Sequence, residues 1–313
     1  MIPPNNLLII STVNAGPTIR RFLKISAAGF FTIGACLAAL VLMAVSFPAD
    51  AAPWQLQINL ARGVPGGFIQ VRENNVLGTT LPLGPALGID YVQHMRLDAV
   101  DEFDRGRALL FNVDFSRIYG ETLRPTPVYF NGVQLAANNP LTTNASWLSN
   151  WQLTTLYRQR LLGSATGTRL DGEIGFTYVG LTYSLQGHPA GAATLSELSG
   201  SRTSEDFITQ ELPVPQLGLH FRYPLLASWE VEADFLGGHL PRLYSLRNEG
   251  GKVYVTQTNQ EAQLGAVYHW EDDLQLGFGW YSRYFMQNEQ SAEDGNYIQL
   301  AEHGLYINFR CRF

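Results

Sequence analysis

The chain has 313 residues, of which 46% are hydrophobic and 15% are charged, and its formal net charge is −6. A negative protein is poorly suited to bind nucleic-acid phosphates, so no nucleic-acid partner is expected. After position 50 no apolar run approaches the roughly 20 residues that cross a bilayer as a helix. This excludes a bundle of membrane helices. The length of the chain allows one large domain or two small ones.

The first 51 residues differ in kind from the rest. A basic cluster at positions 20–24 precedes an apolar stretch over 25–45, and the small residues Ala49 and Ala51 follow. This order is typical of a secretory signal peptide, so we expect cleavage after Ala51 and an exported domain over residues 52–313. An uncleaved N-terminal anchor helix is the alternative, because the apolar stretch is longer than in most signal peptides.

Beyond this segment, apolar and polar side chains alternate, as they do in strands with two unlike faces. The clearest stretch covers 274–286, and similar ones cover 54–60, 87–97, 109–115, 217–223, 229–235, 261–270 and 305–313. Residues 151–162 fit less well because their faces are mixed. In 169–185 the apolar residues change parity near Tyr178, which predicts a β-bulge there.

The links between these stretches alternate in length. Short links are predicted near 98–105, 163–167, 223–228 and 271–272, and long ones near 61–84, 120–146, 187–213, 237–260 and 287–304. The long links are rich in the residues of turns and loops, and the fourth is interpreted as a projecting hairpin with 248–251 at its tip. This pattern predicts about ten strands, with eight or twelve as alternatives.

The polar face of the strands carries arginines and carboxylates in nearly equal numbers and almost no lysine, which is unusual for a face that meets water. Charges enclosed in an interior must be paired, because an unpaired buried charge is costly. Aromatic residues near strand ends fit a membrane interface, and a lipid-exposed sheet has to close. The predicted fold class is therefore all-β, a single closed antiparallel up-and-down transmembrane β-barrel.

The final stretch ends in an aromatic residue, Phe313, and has apolar residues at every second position before it: Leu305, Ile307, Phe309 and Cys311. It resembles the closing strand of bacterial outer-membrane β-barrel proteins, the class of small porin-like barrels. The resemblance in architecture covers residues 53–313 and matches no named subfamily. It implies a place in the outer membrane, contact with outer-membrane lipid, and recognition of the last strand by the barrel-assembly machinery.

The charged residues assigned to the inner face form a candidate lumen-lining network. Its members are Asp90, Arg96, Asp114, Arg158, Arg160, Asp171, Glu173, Arg222, Glu230, Glu232, Asp234, Glu261, His269, Arg283, Arg310 and Arg312. Such a network acts either as an ion-selecting constriction or as an interior salt-bridge plug. The plug is favoured because about ten strands enclose a narrow bore.

Histidines offer two sharper hypotheses. His94, His220 and His269 share the predicted inner face, and three imidazoles can hold a zinc ion. Their strands are not all neighbours, so pairing with nearby carboxylates is favoured. On the loop side, Asp234 and His239 are a candidate acid–base pair similar to that of omptin-like proteases, although the other motifs of that family are not evident. No catalytic, cofactor-binding or metal-binding residue is therefore predicted, and no cofactor is expected.

Three functions stay open at this level. The favoured one is a non-enzymatic outer-membrane barrel with a plugged or narrowly conducting interior. The second is an outer-membrane hydrolase that acts on lipid or peptide at the loop rim, where His188, His239 and His303 are expected. The third is a soluble exported β-barrel that binds a ligand.

Overall fold

The computed structural model describes residues 54–72, 77–104, 106–145, 150–164, 166–188, 203–209, 212–245, 252–271, 273–291 and 295–313. The predicted signal peptide and the predicted hairpin tip at 248–251 lie outside these residues. Within the described ranges, no helix is long and apolar enough to cross a bilayer.

The described chain consists of strands and one short helix. In order these are β1 (Trp54–Arg72), β2 (Leu81–Pro82), α1 (Leu83–Leu87), β3 (Val92–Asp104), β4 (Arg107–Leu123), β5 (Val128–Phe130), β6 (Val133–Leu135), β7 (Pro140–Ala145), β8 (Asn150–Gly163), β9 (Arg169–Gly187), β10 (Thr203–Thr209), β11 (Val214–Leu226), β12 (Trp229–Tyr244), β13 (Tyr254–Glu271), β14 (Leu274–Gln290) and β15 (Gly295–Arg312).

Ten strands pair in an antiparallel ring in the order β1, β3, β4, β8, β9, β11, β12, β13, β14 and β15. β15 then pairs with β1 along its whole length, from Gln55 opposite Arg312 to Arg72 opposite Gly295. Closure leaves the ring without an open edge, so each strand finds backbone partners on both sides. The predicted ten-stranded closed β-barrel is confirmed.

Connections at the two ends of the barrel differ as predicted. Tight turns join β3 to β4, β8 to β9, β11 to β12 and β13 to β14 at one end, which we call the short-turn end. The loop end differs from expectation because the strands run further into several of the predicted links. The link predicted over 237–260 is reduced to residues 245–253, because β12 extends to Tyr244 and pairs there with Tyr254 of β13. The link predicted over 287–304 is reduced to residues 291–294, because β14 and β15 keep pairing as far as Gln290 opposite Gly295.

The predicted bulge near Tyr178 is wrong. β9 pairs without interruption with β8 through this point, with Leu153 opposite Tyr178. The inward residues Asp171, Glu173 and Thr177 of β9 are buried and polar, and further along the same face all are apolar or aromatic: Val179, Leu181, Tyr183 and Leu185. The apolar residues change parity because the interior changes from polar to apolar while the strand stays regular.

The loop half of the interior is filled by a buried apolar core. Inward residues of the ring strands meet residues from two of the long links, namely Leu81, Leu83, Ala86, Leu87, Ile89, Val128, Phe130 and Leu135. We call these link residues the loop-side plug. In the β5–β6 hairpin, Asn131 and Gly132 both have positive φ, 48° and 75°, which a tight two-residue hairpin turn requires.

The two parts of the plug are joined to each other. The Thr79 N–H donates to the Tyr129 carbonyl at 2.7 Å, and the Tyr129 N–H donates to Thr79 Oγ1 at 2.9 Å. The plug therefore folds as one body inside the barrel wall. The sequence carries a signal for its hairpin, since an Asn-Gly pair lies between apolar residues at 128–135.

The outer wall of the barrel is apolar. Leu305, Leu217 and Ile307 are 70%, 66% and 60% exposed. At the short-turn end, the rings of Trp229 and Tyr268 lie 5.0 Å apart, and further exposed aromatic residues are Tyr223 and Trp270. An apolar band bordered by aromatic residues is the surface that a membrane barrel presents to lipid.

Candidate functional site

Below the apolar core, the lumen contains two clusters of ion pairs. The upper cluster lies next to the core and is centred on Arg283 of β14. Arg283 Nη2 donates to Asp114 Oδ2 of β4 at 2.7 Å and lies 3.3 Å from Glu261 Oε2. β15, β1 and β3 lie between β14 and β4 in the ring, so this ion pair crosses the bore.

His94 of β3 completes this part of the upper cluster. Its Nδ1 lies 3.1 Å from Asp114 Oδ1, and its Nε2 lies 2.7 Å from Glu302 Oε1 of β15. Arg283 Nη1 also lies 3.0 Å from His94 Nδ1. Because carboxylates contact both ring nitrogens, neither nitrogen is free to take a proton from a serine or a water nucleophile.

Arg96 of β3 makes a second link across the upper cluster. It pairs with Glu261 of β13, and its Nε lies 2.7 Å from Asp98 Oδ1. The Asn59 side chain donates to Asp98 Oδ2 at 2.7 Å. Arg96 and Glu261 come from strands separated by β1, β15 and β14, so a second ion pair spans the lumen beside the first.

The lower cluster lies towards the short-turn end. Arg310 of β15 pairs with Glu232 of β12 through both guanidinium ends, with Nη1 2.8 Å from Glu232 Oε1. A two-point pair of this kind fixes the orientation of both side chains. Arg158 Nη2 lies 2.7 Å from Glu173 Oε1 on the neighbouring strand.

Further pairs complete the lower cluster at the short-turn end. Arg222 pairs with Glu230, whose carboxylate also lies 3.2 Å from His269 Nε2. Arg169 Nε lies 3.0 Å from Asp171 Oδ2. Each of these charges lies close to an opposite charge on the same or another strand, which limits the cost of enclosing it.

Small cavities remain inside the clusters. One of about 80 Å³ lies between the upper cluster and the apolar core, where His94, Arg283 and Glu302 face Leu83 and Phe285. A second of about 100 Å³ lies in the lower cluster. Spaces of this size hold a few water molecules each.

Solved structures of other proteins contain a barrel of the same kind. The outer membrane protease OmpT from Escherichia coli matches with a TM-score of 0.50 and 10% identity, over 86% of this chain and 98% of that chain. The chain has the fold of outer-membrane β-barrels. The translocator domain of the autotransporter NalP from Neisseria meningitidis matches with a TM-score of 0.37 and 14% identity, over 88% of this chain and 96% of that chain.

The transport unit of the autotransporter AIDA-I from Escherichia coli matches with a TM-score of 0.39 and 8% identity, over 86% of this chain and 93% of that chain. No family model and no curated protein matches the chain. At 10% identity the similarity to OmpT is one of fold.

Most residues of the predicted network lie in these two clusters of the outer-membrane barrel, but Asp90 does not. It is exposed and lies in the connection between α1 and β3. The alternation over 87–97 predicts one strand, whereas β3 begins only at Val92. Arg312 is on the inner face but exposed, because it lies at the short-turn mouth.

Two members of the upper cluster were missed. The sequence pattern predicts a strand that ends at Leu97, before Asp98, and a last strand that begins at Leu305, after Glu302, so both carboxylates fall in predicted links. Asp98 has the same parity as Arg96 on β3, and Glu302 has the same parity as Arg310 on β15. Extending the alternation along each strand would have placed both carboxylates on the inner face.

The structure gives the histidines of both hypotheses partners within their own surroundings. His94, His220 and His269 each lie next to carboxylates of their own, and within the described ranges no group of His, Cys, Asp and Glu fits a metal ion. The Asp234–His239 pair is wrong. Asp234 lies 2.6 Å from His220 Nδ1, whereas His239 is exposed on the outer wall, 3.0 Å from Thr258 Oγ1.

Proposed function

We propose that this protein is an integral outer-membrane barrel with a closed interior, whose contacts with other molecules are made by its loop-end surface. The observation that carries this proposal is the apolar core across the bore. Leu87, Phe130 and Tyr183 are all 0% exposed. A water-filled channel between these side chains would leave part of their surface exposed, so the core supports a barrel without a permanent pore.

The upper and lower clusters support the same proposal. Three arginines extend across or along the bore and pair with carboxylates on other strands: Arg96, Arg283 and Arg310. With ten strands the bore is narrow enough for side chains to fill it. An ion that enters from the short-turn end would therefore meet paired charges first and then an apolar layer that cannot solvate it.

The outer wall supports membrane insertion over the soluble alternative. An exposed apolar band around the whole barrel is far larger than the isolated patches of soluble monomers. We extend the proposal to export by a cleaved signal peptide over residues 1–51. We also propose recognition of the last strand by the barrel-assembly machinery, because β15 has outward apolar residues as far as Cys311 and Phe313 follows it directly.

Planar-bilayer recording of the refolded mature chain tests the closed interior. Insertion is verified first by a heat-dependent gel shift. We expect no steady conductance from the wild-type protein, because the core and the clusters each block the bore. A stable, voltage-independent conductance of the wild-type protein would contradict the proposed closed interior.

A variant of the chain tests which parts of the interior close the bore. It lacks residues 77–89 and 124–139, which together contain the loop-side plug, and changes Arg96, Arg283 and Arg310 to Ser. We expect stepwise conductance only when the deletions and the substitutions are combined, because each change alone leaves one of the two barriers. Open channels from the deletions alone would show that the ion-pair clusters do not close the lumen.

A further inference from the structure

A groove of about 560 Å³ lies at the loop end of the barrel, outside the lumen. Its wall is the outer face of β1, β15, β14 and β13, and the residues on this wall are in register. Gln70, Tyr297, Asn288 and Thr256 lie opposite one another in one row. The next row contains Arg72, Gly295, Gln290 and Tyr254, and Tyr244 of β12 continues it.

The chemistry of the groove combines tyrosine rings, side-chain amides and cations. The amides of Gln70, Asn288 and Gln290 carry both donors and acceptors, which suits hydroxyl groups. Tyrosine offers an apolar ring face with a polar tip, and a sugar presents C–H faces bordered by hydroxyls. This set of side chains therefore fits a saccharide better than it fits an apolar ligand.

The cations of the groove are held in place by aromatic rings. Arg242 Cζ lies 4.2 Å from the ring centroid of Tyr254, and Lys252 Nζ lies 5.3 Å from that of Tyr244. These two rings are 4.8 Å apart. Stacking restricts the cationic side chains before any ligand arrives, which lowers the entropy lost on binding.

The described residues that line the groove have a charge opposite to that of the whole chain. Among them are three cations, namely Arg72, Arg242 and Lys252, whereas the chain has a net charge of −6. Among the described lining residues the single carboxylate is Glu289, which is 2% exposed because it faces inward. An exposed cationic surface on an acidic protein fits an anionic ligand.

The height of the groove separates it from the lipid headgroups. On β14 the outward residues Tyr284 and Met286 lie between Trp280 and the groove. On β13, Tyr254 of the groove is ten residues from Leu264, the last large aliphatic residue of the outer band on that strand, or roughly 33 Å along the strand at about 3.3 Å per residue. With a strand tilt of about 40° this is roughly 25 Å in height. The headgroup layer is only about 6 Å thick on each side of the bilayer.

From this position and chemistry we propose that the groove binds an acidic saccharide, one whose sugar rings carry carboxylate or phosphate groups. Tyr297 and the amides bind the sugar rings, and Arg242 and Lys252 bind the acidic groups, which guanidinium and ammonium ions recognise. The ligand is either a free oligosaccharide or the sugar chain of a membrane glycolipid. The proposal does not depend on whether the lumen is closed, because the groove lies outside the barrel wall.

Binding is measured by calorimetry with the full mature chain in phosphatidylcholine nanodiscs. The probe is trigalacturonate, and its methyl ester is the control with the same sugar skeleton and no charge. We expect the acid to bind and the ester to bind about tenfold more weakly, equivalent to one lost charge-assisted contact. A second arm replaces the free probe by lipopolysaccharide with acidic sugars in the nanodisc, read as a shift in the unfolding temperature.

Matched variants distinguish specific binding in the groove from a general attraction between opposite charges. Arg242→Gln with Lys252→Gln is expected to abolish the response in both arms. Arg107→Gln with Arg117→Gln, which changes two exposed arginines of β4 outside the groove, is expected to leave it unchanged. A Tyr297→Leu variant keeps the charge and is expected to weaken binding as well.

Binding of trigalacturonate in the first arm identifies the ligand as a free saccharide. A response to lipopolysaccharide in the second arm alone identifies it as a glycolipid. Either result supports the proposal if the variants of the groove residues no longer give the response. The proposal is overturned by no response in both arms or by equal binding of acid and ester. It is also overturned if the Arg242→Gln with Lys252→Gln variant, or the Tyr297→Leu variant, binds as well as wild type.

Discussion

At the scale of single residues, the interior depends on carboxylates that serve more than one partner. Asp114 is 3% exposed and holds both Arg283 and His94. Without Asp114, the Arg283 guanidinium stays enclosed but keeps only one of its two carboxylate partners, Glu261. Such a loss is expensive because the cation has already given up its hydration, whereas replacing both partners together is much cheaper.

We therefore expect Asp114→Ala to lower the free energy of unfolding by about 3 kcal/mol. Tryptophan fluorescence during urea unfolding in detergent measures this change. Asp90→Ala is the matched control, because Asp90 is an exposed acid outside the lumen, and it should cost less than about 0.5 kcal/mol. The double variant Asp114→Ala with Arg283→Ala should cost less than the sum of its single changes, and additive costs would count against direct coupling.

At the scale of elements, the β5–β6 hairpin has two unlike faces. Phe130 is 0% exposed in the apolar core, and the neighbouring Tyr129 is 41% exposed. Both residues lie on a hairpin whose backbone is tied to the first long link at Thr79. The hairpin thus contributes to the fold mainly through one apolar face, as an internal plug rather than as a surface loop.

Phe130→Ala is expected to lower the free energy of unfolding by about 3–5 kcal/mol, the usual cost of an aromatic cavity in a core. Its measurement is the temperature at which the heat-dependent gel shift occurs. Tyr129→Ala, one position away on the same strand, should change this temperature little, because removing a side chain that is 41% exposed leaves no cavity in the core. Equal effects of the two changes would mean that the hairpin does not pack as described.

At the scale of the whole molecule, closure joins the two ends of the strand array. The Phe313 N–H donates to the Trp54 carbonyl at 2.9 Å, next to the first pair of β1 and β15. Once the ring is closed, Phe313 contributes this hydrogen bond and a ring that is 38% exposed. The proposed recognition of the last strand would act before closure, when β15 is still an unpaired edge.

Deletion of Phe313 is accordingly expected to reduce the amount of folded barrel in the outer membrane of cells, while the purified chain refolds in detergent with an unchanged urea midpoint. Gel-shift assays on membranes and on refolded protein measure the two quantities. Arg312→Ala is the control, because it changes the adjacent side chain at the mouth. A lowered urea midpoint for the deletion would indicate that Phe313 stabilises the finished barrel instead.

The barrel wall was determined by the sequence alone. The side chains of a strand alternate with a strict period of two, so the face on which a residue lies can be predicted from its neighbours in the chain. Leu276, Phe278 and Trp280 can be assigned to lipid from their spacing, and four tight turns from the residues between strands. The tertiary structure decided what fills the bore. Arg96 meets Glu261 and Arg283 meets Asp114 because of the register in which the ring closes, and no short stretch of sequence encodes that register. The same closure brings Phe130 and Leu87 together from two separate links, so an apolar layer lies where the sequence pattern showed only a change of parity.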